Sequence, residues 1–322
     1  MAKSQFLPTC SVDAIQKAAE RLKAGHLVAF PTETVYGLGA DATNEEAVKR
    51  IYAVKGRPTD HPLIVHVSSI NVLDVWARNI PDYAIALARA FWPGPMTLIL
   101  KRKEIAKDFI TGSQDSVGIR VPRDPVALEL LARFESLGGR GIAAPSANRF
   151  GHVSPTSPKD VQDEIGEYLS EEDSILDGGQ SDVGIESTII DCRNAFPVIL
   201  RPGAITAVMI NSVIKGDFVT TQTADIRVSG GLDRHYAPNA KVIVNEFPRY
   251  GQAFMALSDV RTPEGVHRIS SPTDIAEFAR NLYAVMRKAD ELGFTELVIE
   301  VPEGQGIEIA LQDRLRKASN GR

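Results

Sequence analysis

The stretch 31-PTETVYGLGADATNEEAVKRIYAVKGRPTDHP-62 decides how the rest of the chain is read. It opens with a Gly-rich turn that carries hydroxyls and one carboxylate: Thr32, Glu33, Thr34, Tyr36, Gly37 and Gly39. It closes with two cations, Lys55 and Arg57, around Gly56, and Pro58 stops the chain there. Between them the spacing predicts a helix. Thr43 and Glu46 fit a T-x-x-E capping box, and Ala47, Val48, Ile51 and Val54 follow at helical spacing. A polar loop, one helix and a Lys-x-Arg bend suit the grip of a polyanionic small molecule, a point charge beside a planar fork. An isolated K-x-R is more often a helix end whose cations complement the dipole. The neighbouring segments therefore have to decide.

Upstream, Ser11 caps a helix expected to run to Leu22, with Gly25 as its stop, and Leu27–Phe30 reads as the buried strand that delivers the PTET loop. Downstream, Leu63–Val67 is a short strand in which His66 shares a face with Ile64. A helix from Pro81 to about Ala90 ends at Trp92-Pro-Gly-Pro. Met96–Leu100 and Val117–Val121 read as strands, Pro125–Phe134 as a helix, and Ile142–Ala144 as the strand that delivers Pro145-Ser146-Ala147-Asn148. Ser157-Pro158 starts a helix running to about Leu169. Ser174–Leu176, Glu186–Asp191 and Val198–Leu200 are strands, and Ala204–Ile214 is helical. The pattern is α/β without a strict βαβ repeat, which predicts a twisted mixed sheet packed with helices around a cleft.

The composition changes near Lys215. Residues 215–239 read as a linker, polar and β-branched, with Gly230-Gly231. Residues 240–322 then read as a second unit: strand Lys241–Val244, an amphipathic helix from about Asp274 to Leu292, strand Leu297–Val301 and helix Ile307–Lys317. This is a small Rossmann-like α/β domain without G-x-G-x-x-G. The first 214 residues form the larger domain.

Composition narrows the function. With 322 residues and a net charge of −5, the chain is not built to coat nucleic acid by bulk electrostatics. Its two cysteines, Cys10 and Cys192, form no C-x-x-C pair, which argues against a zinc site or a disulfide scaffold. No apolar run reaches a membrane span, and the N-terminus lacks a signal-peptide core, so the cytoplasm is expected. There is no G-x-S-x-G elbow, H-E-x-x-H or Walker A sequence, which fits chemistry without a covalent enzyme nucleophile.

The opening stretch resembles the YrdC/Sua5 family, whose members make threonylcarbamoyl-AMP for tRNA modification. The resemblance continues, in the family's order, through PLIVHV (62–67), WPGPMT (92–97), GIRVP (118–122), APSANRFGHVSPT (144–156), GIESTIID (184–191), RPG (201–203) and RHYAP (234–238). It covers about two thirds of the chain, and the second unit corresponds to the family's long, Sua5-type form. The resemblance implies a synthase that joins ATP, L-threonine and bicarbonate, with Mg²⁺ carried on the ATP phosphates and no dedicated protein metal site. Glu33 and Glu186 remain acidic pocket candidates. It implies catalytic roles for Lys55 and Arg57 on the ATP phosphates. Ser116, Ser146, Asn148, Ser154, Arg201 and Tyr236 are implied on the nucleotide, and Thr32, Thr34, His66, Arg120 and Ser187 on L-threonine. The implied partner is the downstream threonylcarbamoyl-transferase complex of the t6A pathway.

Upstream of RHYAP the family carries a Pro-Gly-Met-aromatic run; here Ser229-Gly230-Gly231-Leu232-Asp233 stands in its place, which predicts a looser linker. Two rival readings follow from related domains. One is a double-stranded RNA-binding protein, against which the acidic charge and the missing Lys/Arg stripe count. The other is a hydrogenase-maturation carbamoyltransferase, whose extra domains and zinc-binding cysteine patterns this chain lacks.

Overall fold

The computed structural model describes residues 5–7, 11–215, 226–231 and 236–321. Among them the chain builds two sheets. The larger has the spatial order Gln5–Leu7, Ser174–Leu176, Val28–Phe30, Gly37–Asp41, Ile142–Ala143, Ile64–His66, Ser116–Arg120, Met96–Arg102, Thr188–Asp191, Val198–Arg201, and Ala77–Arg78 pairs beside Met96–Arg102. Parallel and antiparallel pairs are mixed along it. Val28–Phe30 runs antiparallel to Gly37–Asp41, while Ile64–His66 runs parallel to Ser116–Arg120. The mixed sheet expected from the sequence is present, and helices pack over it.

The helices follow local signals. Val12–Lys23 is capped by Ser11, whose Oγ accepts from the Ala14 amide at 3.2 Å. Its buried stripe of Ile15, Ala18, Ala19 and Leu22 faces the Pro125–Ser136 helix and the sheet. Glu45–Lys55 buries Ala47, Val48, Ile51 and Val54 as the spacing predicts, and ends at Gly56 with a left-handed φ of 62°. Its start differs from the expectation. The cap is Asn44, whose side chain accepts from the Ala47 amide, because Thr43 Oγ1 is already engaged by Asp41 Oδ1 at 2.7 Å and Glu46 pairs with Lys49. The reciprocal capping box lies elsewhere, at Ser157 and Asp160 before the Pro158–Ile165 helix.

A second difference concerns Gly37–Asp41, which is a strand rather than a Gly-rich turn. The glycines serve close packing there. A Cβ on Gly39 would stand 2.7 Å from Ile142 Cγ2 and 2.8 Å from the Phe30 ring.

Buried Asp173 ties the start of the sheet together. Its carboxylate takes the Leu27 and Ser170 amides, both at 2.7 Å, and Arg50 Nη2 at 2.6 Å. Asp173→Ala strands these donors in a dry site, and we expect a loss of about 3 kcal/mol in urea unfolding, with Asp173→Asn milder.

The second sheet is all parallel, in the order Lys241–Val244, Glu296–Ile299, Ala253–Met255, His267–Ser270. The helices Ile275–Glu291 and Glu308–Ser319 cover it. The Rossmann-like unit read from the sequence thus carries two further strands, too short and, at His267-Arg268, too polar to stand out by periodicity. Cys10, most of the linker and Leu232, Asp233, Arg234 and His235 lie outside the described residues.

Candidate active site

The PTET loop leaves the Val28–Phe30 strand, and the loop after Ile142–Ala143 lies across it. Backbone hydrogen bonds fix the crossing: Leu38 N to Pro145 O, Ala147 N to Tyr36 O and Tyr36 N to Pro155 O, each 2.9 Å. Phe150 N reaches Lys55 O at the helix end, 2.8 Å away. The two polar loops and the Lys-x-Arg bend therefore form one wall. With Ile64, His66, Arg120, Glu186, Ser187 and Arg201 they line one cleft.

Lys55 enters this cleft almost wholly buried, 3% exposed. Its Nζ donates to Ser146 O at 2.6 Å and Asn148 O at 2.5 Å. Burial, then the nearby Arg57, lower its pKa well below the usual lysine value. Arg57 donates to Pro62 O and Ser229 Oγ, and burial lowers its pKa to about 10. Arg201 spans Ser187 and the linker: Nε to Ser187 O at 3.0 Å, Nη2 to Ser187 Oγ at 3.1 Å, Nη1 to Ser229 O at 2.9 Å. Ser187 Oγ also meets Thr97 Oγ1 at 2.8 Å.

On the opposite side, Arg120 Nη1 donates to Thr34 Oγ1 at 2.9 Å. Its Nη2 lies 2.8 Å from Glu33 Oε1, a charge contact with poor hydrogen-bond angles. Glu33 Oε2 in turn accepts the Arg123 amide. Thr32 Oγ1 closes its own turn, donating to Val35 O at 2.6 Å or to Thr34, so its hydroxyl serves the loop first. His66 packs edge-on against Phe30 at 5.8 Å. Burial, followed by the charge of Arg120, lowers its pKa to about 3, so the imidazole is neutral near pH 7. Among the described residues, Arg57 Nε and Arg120 Nε are buried without a hydrogen-bond partner. Buried donors of this kind normally have an acceptor, and a bound anion would supply it.

The cleft brings together Lys55, Arg57, Ser146, Arg201, Tyr236, Thr32, Thr34, His66, Arg120 and Ser187, all expected from the sequence. Three expected residues lie off its wall. Ser116 lines a neighbouring apolar slot with Pro62, Ile64, Gly118, Ile189 and Val228, and Ile64 and Ser229 are common to both spaces. Asn148 is buried behind the loop, its Nδ2 donating to Arg149 O and His152 O, both 2.8 Å. Ser154 Oγ donates to Glu186 Oε1 at 2.6 Å.

Sequence reasoning missed the second unit's share. Arg314 Nε and Tyr283 Oη each donate to Glu186 Oε2 at 2.8 Å, and Lys317 Nζ donates to Gly230 O at 2.8 Å. In the sequence these are ordinary helix cations and a helix tyrosine, with no motif to mark them. Burial raises the Glu186 pKa, but Arg314 and Arg201 outweigh it and hold it at about 2. Neither acid expected near the pocket is unpaired, since Glu33 meets Arg120 and Glu186 meets Arg314.

The His66 shift has a pH consequence. The native imidazole binds no proton between its folded pKa of about 3 and the ordinary 6.5, whereas the unfolded one does. Stability therefore falls as pH drops through 6.5, while the Glu164 and Glu186 contributions persist until below 4.5. We expect His66→Gln to flatten the stability profile between pH 6.5 and 4.5 by no more than about 3 kcal/mol in denaturant titrations. His61, also lowered by burial, keeps part of the slope.

Residues 20–203 match the Sua5_yciO_yrdC family model, described as "Telomere recombination", and residues 205–320 match the model described as "Threonylcarbamoyl-AMP synthase, C-terminal domain". The chain is similar to the threonylcarbamoyl-AMP synthase of Pyrococcus abyssi, 41% identical over 96% of this chain and 94% of the relative. That of Bacillus subtilis is 36% identical over 96% and 93%. The solved structure of P. abyssi Sua5 complexed with L-threonine superposes with a TM-score of 0.87 at 39% identity, over 96% of this chain and 95% of that one.

Proposed function

The chain belongs to the Sua5/YciO/YrdC family, and from that premise we propose that it makes threonylcarbamoyl-AMP from L-threonine, bicarbonate and ATP, releasing pyrophosphate. The product is the activated group for the t6A modification of tRNA. In reaction class the enzyme is a nucleotidyltransferase. It works in the cytoplasm and hands its product to a threonylcarbamoyl-transferase complex.

One observation carries the reading. A single cleft is lined by Arg120 with Thr34 and by the three cations Lys55, Arg57 and Arg201. An amino acid and a polyphosphate suit these two groups. The slot at Ser116 adjoins the cleft through Ile64 and Ser229, and we assign the adenine end of ATP to that side.

The chemistry needs positioning more than it needs an enzyme nucleophile. The threonine amine takes up bicarbonate with loss of water to give an N-carboxylate. That carboxylate attacks the α-phosphorus of ATP and pyrophosphate leaves. Arg120 and Thr34 hold the threonine carboxylate, so the amine side faces the phosphates. Neutral His66, with Phe30 packed behind it, walls the amino-acid end without adding charge. Lys55, Arg57 and Arg201 draw the phosphates together and stabilise charge that builds on the leaving group. Glu33 and Glu186 are both engaged by arginines, so Mg²⁺ would enter with ATP and would add further charge neutralisation to that of Lys55, Arg57 and Arg201. The linker residues Val228 and Ser229 border the base slot, and Ser229, Gly230 and Tyr236 the cleft. They shelter a hydrolysis-prone mixed anhydride from water.

The test is direct. Purified protein with ATP, Mg²⁺, bicarbonate and L-threonine should yield threonylcarbamoyl-AMP and pyrophosphate by mass spectrometry, and neither without threonine or bicarbonate. Absence of adenylate from folded, ATP-binding protein would refute the reading.

A further inference from the structure

Glu186 is an odd residue for this cleft. It puts a carboxylate on the wall that receives a polyanion, 6% exposed, directly before Ser187. An uncompensated anion there would repel phosphate and be costly to bury. Beside Arg201 and Ser154 of the first unit, the direct ion pair comes from the second. Arg314, on the Glu308–Ser319 helix, is fully buried and reaches across the domain boundary. Its Nε donates to Glu186 Oε2 at 2.8 Å, its Nη2 to Pro202 O at 3.0 Å, and its Nη1 to Asp313 at 2.6 Å. Its guanidinium also lies 5.3 Å from the centre of the Tyr236 ring, which stacks on Tyr283 at 5.7 Å. Tyr283, on the Ile275–Glu291 helix, gives Glu186 its other donor from this unit. One side chain therefore touches the residues beside two cleft groups: Glu186 next to Ser187, and Pro202 next to Arg201.

The joint around it leaves little freedom. Gly184, with φ of 76°, sits so close to the same helix that a Cβ would stand 2.5 Å from Arg280 Cα. Arg287 of that helix pairs with Glu164 at 2.9 Å and donates to Val153 O, beside Ser154. The segments bearing Ser154, Ser187 and Arg201 are all braced from the second unit.

We propose that Arg314 is a positioning residue for the synthase reaction: by neutralising Glu186 and holding Pro202 it fixes Ser187 and Arg201 for the substrates, making the second unit a structural part of the active site. This rests on the synthase reading above. It differs from a role in fold stability alone, because it makes Glu186 harmful once Arg314 is gone.

The full-length chain tests this with Arg314→Met, Tyr283→Phe, Glu186→Gln and the Arg314→Met/Glu186→Gln pair. Steady-state kinetics, melting temperature and equilibrium dialysis with a non-hydrolysable ATP analogue are measured on each. Arg314→Met should raise the KM for ATP about tenfold or more, with a smaller fall in kcat, and weaken analogue binding in parallel. Adding Glu186→Gln should restore at least about threefold of that loss, because the unpaired charge is removed. A purely structural role would change melting temperature, leave KM unchanged in the folded protein and make the two substitutions additive; either result overturns the proposal. Tyr283→Phe removes one hydroxyl from the same carboxylate and should raise KM about two- to threefold. If Arg314→Met does not fold, an unchanged KM in Tyr283→Phe is the overturning result. Should the native chain make no adenylate, the synthase reading fails on that result, and analogue binding across the same variants still decides the role of Arg314.

Discussion

Lys55→Ala is expected to lower kcat/KM for ATP by about a thousandfold, the largest loss at any single position of this cleft. The side chain does two jobs. With Arg57 and Arg201 it is one of three basic side chains on this cleft that we propose meet the polyphosphate; burial lowers its pKa, and a bound polyanion would favour its charged form. It also ties the carbonyls of Ser146 and Asn148 to the end of the Glu45–Lys55 helix, which fixes the loop carrying the nucleotide-side hydroxyl. Alanine removes both. Loss of the loop tie alone should cost about 1–3 kcal/mol of stability, because two carbonyls lose their buried donor. Loss of the charge should appear in kcat as well as KM, since pyrophosphate develops charge as it leaves. Lys55→Met retains the packed stem without the ammonium and separates the effects. Its stability should fall about as far as that of alanine or less, and its kcat/KM should fall equally far. A Met variant with near-native kcat/KM would show that Lys55 is only a loop tie.

The fold was legible wherever a local rule sufficed. Ser11, Ser157 with Pro158, and Gly56 each mark a helix end by short-range geometry, and the structure uses all three. Gly37–Asp41 was misread as a turn because glycines at a tight sheet crossing look like glycines in a bend; only the Phe30 and Ile142 side chains, distant in sequence or unseen in pattern, explain them. Thr43 was misplaced as a cap because a hydroxyl two residues from an aspartate has a nearer partner. The site divides in the same way. Lys55, Arg57, Arg120 and Arg201 lie in motifs whose order along the chain carries meaning, and they meet in one cleft. Asn148 and Ser154 occur in the same motifs, their side chains hydrogen-bonded to Arg149, His152 and Glu186. Arg314 was invisible: in DRLRK it has the sequence of a solvated helix face, and its burial arises only when two units close around it.

Arg120 gives the second large effect, and here stability and function must be separated. Arg120→Met removes the planar fork proposed to hold the threonine carboxylate, so the KM for L-threonine should rise about a hundredfold or more. It also leaves Glu33, itself buried, without its cation. Breaking one side of a buried pair typically costs about 3–5 kcal/mol, because the remaining charge has no compensation. A single substitution therefore yields an inactive protein for two reasons at once. Adding Glu33→Gln resolves them. The amide keeps the acceptor for the Arg123 amide but carries no charge, so the double variant should recover most of the urea midpoint. It should recover none of the threonine affinity, because the fork is still missing. Recovery of both would make the pair a structural tie that holds the PTET loop and would move the carboxylate clamp elsewhere in the cleft. Recovery of stability alone, with ATP binding intact, would leave Arg120 as the group that tells an amino acid's carboxylate from the phosphates.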